Sequence, residues 1–272
     1  MSSHTRIVAE SALKQNSSVD ATLSQSSPPV YRASASVKPH PGSARALFVH
    51  PDKDKGYLLV GGSDGILTMY LLDVSTGKYD KAIDYEALKN GDQIMCIAGI
   101  QNENGEINSV AVGTKRGKVL TAVFWENTVA HEFHNSSEIS TSAVGLDSVK
   151  GLVCAGFWGG NVRLWNSDSC KEISSTKFHE NIGSVCFMNQ DYVLVGTSSG
   201  SISKISAATG SVIKTIKPHH KIVRKIKLDT QSGVVLSCGN DSQVCVLTHE
   251  LDLKARVKVG VSFLFGISFI SL

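Results

Sequence analysis

The sequence has no stretch approaching the roughly 20 consecutive apolar residues that a membrane-spanning helix requires, and its N-terminus lacks the unbroken apolar run of a secretory leader. Neither membrane insertion nor secretion is expected. It also lacks a charge excess, since 27 Lys and Arg against 24 Asp and Glu, dispersed along the chain, leave only +3. So small an imbalance points to neither nucleic acid nor an anionic surface as partner. Paired cysteines are absent as well. None of Cys96, Cys154, Cys170, Cys186, Cys238 and Cys245 forms a C-x-x-C pair, and most lie in short apolar runs such as LVCAG and QVCVL. Isolated thiols in such runs pack as small hydrophobes, which argues against a zinc site or a disulfide framework and for a reducing compartment, cytoplasmic or nuclear. Helical periodicity is missing too: between Leu47 and Val259 apolar residues nowhere recur every three to four positions.

What the chain has instead is a period in its glycines. VGGSDGILTMYLL (60–72), VGTKRGKVLTAVF (112–124), AGFWGGNVRLWN (155–166), LVGTSSGSISKIS (194–206) and SCGNDSQVCVLT (237–248) share one pattern: an apolar run, a tight turn, then an alternating run. The turn residues Gly65, Gly117, Gly160, Gly200 and Ser242 are separated by 52, 43, 40 and 42 residues. Alternation with period two marks strands, and glycine supplies the positive φ that a tight hairpin needs. The pattern predicts hairpins near 57–73, 108–125, 151–166, 191–206 and 233–248. Each is flanked by two further short strands: QIMCIAGI, SAVGLD, GSVCFM and VRKIKLD stand before hairpins, and NTVAHEF, KEISSTKF and GSVIKTIK stand after them. Four strands per unit of about 40 residues predict an all-β fold, a propeller of four-stranded antiparallel blades with five blades recognisable.

The segment GLVCAGFWGGNVRLWNSDSCKEISSTKFH resembles a WD repeat. Trp165 and Asn166 fall on that family's Trp-Asp position and Gly160 on its turn glycine, while Phe157 and Gly159 replace its serine and aspartate. In the last repeat Ser237, Asp241 and His219 fall on the strand serine, turn aspartate and loop histidine, with Leu247 in place of the Trp. The resemblance covers about Val37 to Val259. It implies that His219, Ser237 and Asp241 hydrogen-bond to one another and stiffen their blade, that Trp125 fills the Trp role in the second repeat, and that the function is non-catalytic protein or peptide binding.

Lys-Pro-His occurs at 38–40 and again at 217–219, which places a blade-outer strand near Val30–Val37 within a propeller region spanning 30–259. Residues 1–29 are serine-rich and too poor in large apolar groups to offset their ordering entropy, so a disordered tail is expected there. The apolar tail 260–272 is either one inner strand of a partial sixth blade or an aberrant terminus. If the ring is left open, its strand edges favour self-association.

Several motifs invite a chemical reading. Gly196 to Gly200 spell G-x-S-x-G, but an alternating strand follows where a nucleophile elbow needs a helix. The pattern recurs at Gly61 to Gly65, again in a hairpin. GTKRGK, at 113–118, is one residue short of a phosphate loop and also precedes a strand. His131 and His134, three apart on a strand, face opposite ways and share no metal. No catalytic, cofactor or metal residue is assigned. The candidate partner-binding residues are Phe157 and Trp158, large aromatics at a hairpin where the family has small ones, with Lys115, Arg116 and Arg163. Two alternatives remain. One is a nucleic-acid contact through the basic strand at Lys217 to Lys227; the other is a ligand-binding or hydrolytic site in the central channel.

Overall fold

The computed structural model describes residues 42–50, 55–73, 78–85, 92–101, 107–123, 128–133, 139–147, 149–229 and 232–259. Segments 1–29 and 260–272, the strand expected at Val30–Val37, Trp125 and His134 lie outside them. The described residues build five four-stranded antiparallel sheets arranged as a five-bladed β-propeller, with no helix among them. The first blade comprises β1 (Ala44–His50), β2 (Lys55–Gly62), β3 (Leu67–Asp73) and β4 (Lys78–Tyr85). The second comprises β5 (Ile94–Gln101), β6 (Ile107–Thr114), β7 (Val119–Val123) and β8 (Thr128–Phe133). The third runs through β9 (Thr141–Asp147), β10 (Leu152–Phe157), β11 (Asn161–Asn166) and β12 (Glu172–Lys177). The fourth holds β13 (Ile182–Phe187), β14 (Tyr192–Thr197), β15 (Ile202–Ser206) and β16 (Val212–Ile216), and the fifth β17 (Val223–Asp229), β18 (Val234–Gly239), β19 (Gln243–Leu247) and β20 (Leu253–Lys258). Every blade takes its strands in sequence order, so none of them borrows a strand from elsewhere.

Four apolar cores lie between successive blades. Leu59, Leu67 and Met69 of the first blade pack on Ile94, Val110 and Val112 of the second. Ala111, Val119 and Phe133 of the second meet Val153, Phe157 and Trp165 of the third. Leu152, Val162 and Leu164 then face Ile182, Val193 and Val195, and Leu194 and Ile202 face Val223, Ile226 and Val235. The innermost strands pack in the same order: β1 on β5, β5 on β9, β9 on β13 and β13 on β17. Among the described residues no comparable packing joins β17 back to β1. Sheet-face burial of this kind is the main favourable term in folding, since each fully buried Leu, Ile, Val or Phe side chain gains about 1.5–3 kcal/mol relative to exposure.

The recurring pair of glycines has two separate causes. The later one sits in the turn, where φ is positive: Gly65 80°, Gly117 80°, Gly160 90° and Gly200 96°, with Ser242 at 63° in the last blade. The earlier one, four residues before, lies where the next blade presses in. Gly61, Gly113, Gly156 and Gly196 approach Ile94, Thr141, Ile182 and Val223, each the first residue of the following blade's innermost strand. A Cβ on Gly196 would stand 2.8 Å from the Cβ of Val223. In the fifth blade the equivalent residue is Cys238, and no described inner strand follows it. The G-x-S-x-G of 196–200 is thus one interblade contact and one turn, with Ser198 between them.

Candidate functional site

All five hairpin turns open on the same face of the disc, and one hydrogen bond repeated five times fixes them there. The first turn residue donates its backbone N–H to the carbonyl of the residue just before the same blade's innermost strand. The pairs are Ser63 to Ser43 (2.9 Å), Lys115 to Gln93 (2.9 Å), Trp158 to Ser140 (2.9 Å), Ser198 to Asn181 (2.8 Å) and Asn240 to Ile222 (3.1 Å). Turn and interblade loop therefore form one rigid ledge per blade.

The carboxylates on this face are turned to internal work. Asp64 accepts from the Ile66 N–H (3.1 Å), Asp92 from Arg116 (3.2 Å), Glu180 from Ser199 (3.1 Å) and Asp241 from His220 (2.9 Å). Hydrogen bonds from Ser199 and Thr197 hold the Glu180 carboxyl below the usual carboxylate range, helped by the charge of Lys217. The cations are arranged oppositely. Lys115, Arg116, Lys177, Lys217 and Lys221 are all exposed, and Lys177 lies against the Gly159 carbonyl (2.6 Å), one residue from Trp158.

Trp158 is 36% exposed on its turn, and Ile139, 78% exposed, precedes the Ser140 whose carbonyl holds the Trp158 N–H. The neighbouring turn is tied in through Thr141, whose hydroxyl donates to the Lys118 carbonyl (3.2 Å). Trp158, Ile139, Lys115 and Arg116 are therefore gathered by the adjoining ledges of the second and third blades. Sequence reasoning had not named Ile139 or Lys177. The usable signal was position, for each lies beside a ledge, but the period marks only the turns.

Two of the candidate residues are placed differently from expectation. Phe157 is fully buried in the core between the second and third blades, so it is not a surface anchor. Nor does it stand where the serine was expected. Ser237 lies five residues before its turn residue, opposite Ile226 and Cys245, and the residue in that register in the third blade is Ala155, opposite Val144 and Arg163. Arg163 lies along β11 and is tied to Glu172 (2.8 Å) on β12, away from the turns. Trp165, 2% exposed, packs at a tilt against Phe133 of the second blade with ring centroids 5.5 Å apart. Asn166 caps the next turn by accepting from the Ser169 N–H (2.8 Å).

His219, Ser237 and Asp241 do come together. The His219 Nδ1 lies 3.0 Å from Asp241 Oδ1 and its Nε2 lies 2.9 Å from Ser237 Oγ. The order Ser–His–Asp is that of a hydrolase triad, but His219 and Ser237 are both 0% exposed, so no acyl group reaches the hydroxyl. Burial lowers the His219 pKa below its ordinary 6.5, although Asp241 opposes this. A neutral ring with the proton on Nδ1 satisfies the whole set: it donates to Asp241 and accepts from Ser237. Burial alone would raise the Asp241 carboxyl, but the N–H of His220 and the His219 ring together hold it below the ordinary value.

The basic run at 217–227 is not one exposed strand. Lys217 and Lys221 lie on the ledge, whereas Lys225 belongs to innermost β17, opposite Cys238 and within electrostatic reach of Cys96 and Cys186. Burial lowers the Lys225 pKa and pushes the Cys238 thiol up to about 11, so that thiol stays protonated and unreactive. Among the described residues, no three His, Cys, Asp or Glu side chains gather to hold a metal ion.

No protein-family model matches the chain. It is 29% identical over 110 residues to WD repeat-containing protein JIP5 of Coccidioides immitis (strain RS), a stretch covering 40% of this chain and 26% of that protein. The WD40 β-propeller domain of Doa1 superposes with a TM-score of 0.66 at 17% identity, covering 81% of this chain and 70% of that one. The chain shares the β-propeller fold of that WD40 domain. Sqt1 from Chaetomium thermophilum shares the propeller fold, with a TM-score of 0.65 at 14% identity over 82% of this chain and 60% of that one; it has also been solved bound to the N-terminus of ribosomal protein L10. The matched stretch spans about a quarter of the length of JIP5, and the superposed part of the chain about three fifths of Sqt1.

Proposed function

We propose that this chain is a non-catalytic docking platform that presents the turn face of its propeller to a protein or peptide partner. The observation that carries the reading is Trp158, a large aromatic held half-open on a ledge whose backbone is fixed by hydrogen bonds. Rigid aromatics of this kind supply most of the energy at protein interfaces, because they bury much area while losing little conformational freedom. The sealed Ser–His–Asp set supports a structural role for those residues. The buried lone thiols Cys154 and Cys245 support a cytoplasmic or nuclear setting. That Sqt1, of the same fold, has been solved with a ribosomal protein segment is consistent with a peptide-sized partner.

A photo-crosslinking residue placed at position 158, and for comparison at Asp168 on the opposite face, tests the proposal in cell extract. The expected result is discrete protein adducts from 158 and none from 168. Equal adducts from both positions, or none from either, would overturn it.

A further inference from the structure

The two faces of the disc differ in the charges they leave exposed. On the turn face the described carboxylates Asp64, Asp92, Glu180 and Asp241 are half-buried or buried and each accepts a backbone N–H, while Lys115, Arg116, Lys177, Lys217 and Lys221 are exposed. On the opposite face, where strands one and two and strands three and four of each blade connect, the described acids accumulate: Asp147, Asp168, Asp191, Asp229, Glu250 and Asp252. Lys150 there is paired to Asp191 at 2.7 Å, and Lys214 reaches Asp252 at 2.9 Å. Among the described residues, exposed cations thus outweigh exposed carboxylates on the turn face, and acids outnumber cations on the opposite face. Neither the Lys115 nor the Arg116 side chain has a carboxylate partner among the described residues, Arg116 meeting Asp92 only through its backbone N–H, and both sit on the ledge beside the one that bears Trp158 and Ile139.

We infer that the turn face binds an acidic peptide segment bearing a large apolar residue, which seats on Trp158 and Ile139 while its carboxylates meet Lys115, Arg116 and Lys177. The inference rests on the docking role proposed above and adds the chemistry of the partner. The exposed cations beside Trp158 decide it: cations on a protein surface reward an anionic partner and reject a cationic one, and they speed encounter. Nucleic acid would use the same cations, but only one exposed Trp, Tyr or Phe stands on the described part of this face, and single strands bind along a series of stacking platforms.

Fluorescence anisotropy with the full chain tests this, using three labelled probes: a short peptide alternating Glu with Leu and Phe, its Gln analogue, and a single-stranded uridine oligonucleotide of equal charge. The acidic peptide is expected to bind at about 0.15 M salt. Its Gln analogue should bind about tenfold or more weakly. Trp158→Ala and the pair Lys115→Glu with Arg116→Glu should each weaken the acidic peptide by about tenfold, while Asp168→Lys with Asp191→Lys on the opposite face leaves it unchanged. All these residues are exposed, and thermal melts confirm that each variant remains folded. Equal binding of the Gln analogue overturns the inference, as does tighter binding of the oligonucleotide insensitive to Trp158→Ala. An effect of the opposite-face variant as large as that of Lys115→Glu with Arg116→Glu also overturns it, by reducing the attraction to net charge. The two proposals fail separately. Protein adducts from position 158 with no charge dependence in the titration would keep the docking role and remove the acidic partner.

Discussion

At the scale of single residues, backbone conformation and one buried hydrogen-bond network set the strictest requirements. Gly200 has φ of 96°, and a Cβ there would collide with the His219 carbonyl. Gly200→Ala is expected to destabilise by about 1–3 kcal/mol, read from chemical denaturation. Ser242 holds the matching turn at φ 63° with a side chain that disfavours it. Ser242→Gly should therefore be neutral or stabilising by up to about 1 kcal/mol; a clear loss would mean that the serine hydroxyl contributes more than the strain removes. The His219 network makes stability depend on pH. The unfolded chain protonates this histidine near 6.5, while the folded chain resists it until lower pH. Its contribution is therefore complete above about 6.5 and falls as pH drops. Asp241, held below its ordinary 3.8, adds a second loss in the same direction at more acid pH. Melting temperature should be level between about pH 8 and 7 and decline below 6.5. His219→Gln should lower it at pH 7 and flatten that decline. A variant with the wild-type slope would remove His219 as the cause. None of this network depends on the missing Trp, since Leu247 simply joins the apolar core between the fourth and fifth blades.

At the scale of elements, the informative unit is the junction between one blade's second strand and the next blade's first. Gly196 lets Val223 approach, and the same is true of the three earlier pairs. Gly196→Ala forces a methyl into a filled interface and is expected to cost about 1–3 kcal/mol. Cys238→Val, which likewise adds a methyl at the same register in the fifth blade, should cost less because no described strand presses on it. Equal losses from the two would show that the fifth blade is covered as tightly as the fourth. The glycine period made the blades and their turns legible, because positive φ and close approach both select the one residue without a Cβ. It did not separate those two causes, which depend on register against the neighbouring blade. The misplacement of Phe157 has the same origin. By spacing it stood for a serine and for a surface aromatic, but pairing put Ala155 in the serine register and turned Phe157 into the core.

At the scale of the whole molecule, the first and last blades each turn one sheet face away from their only described neighbour. Leu47 on β1 is 63% exposed and Val257 on β20 is 50% exposed. Exposed apolar strand faces of this kind promote association. Sedimentation velocity over a concentration series is expected to show reversible self-association that Leu47→Ser with Val257→Ser reduces; a sedimentation coefficient independent of concentration would count against it. The sequence by itself determined the all-β architecture and the five hairpins, because alternation and turn geometry are local and leave a mark every 40-odd residues; the partners of His219 were legible only through the resemblance to a WD repeat. Only the tertiary structure decided which side chains share a surface. The collection of Trp158, Ile139 and exposed cations on one face arises because successive blades repeat the same orientation. Charges far apart in the chain thereby sum on one side of a disc, and no spacing along the sequence records that sum.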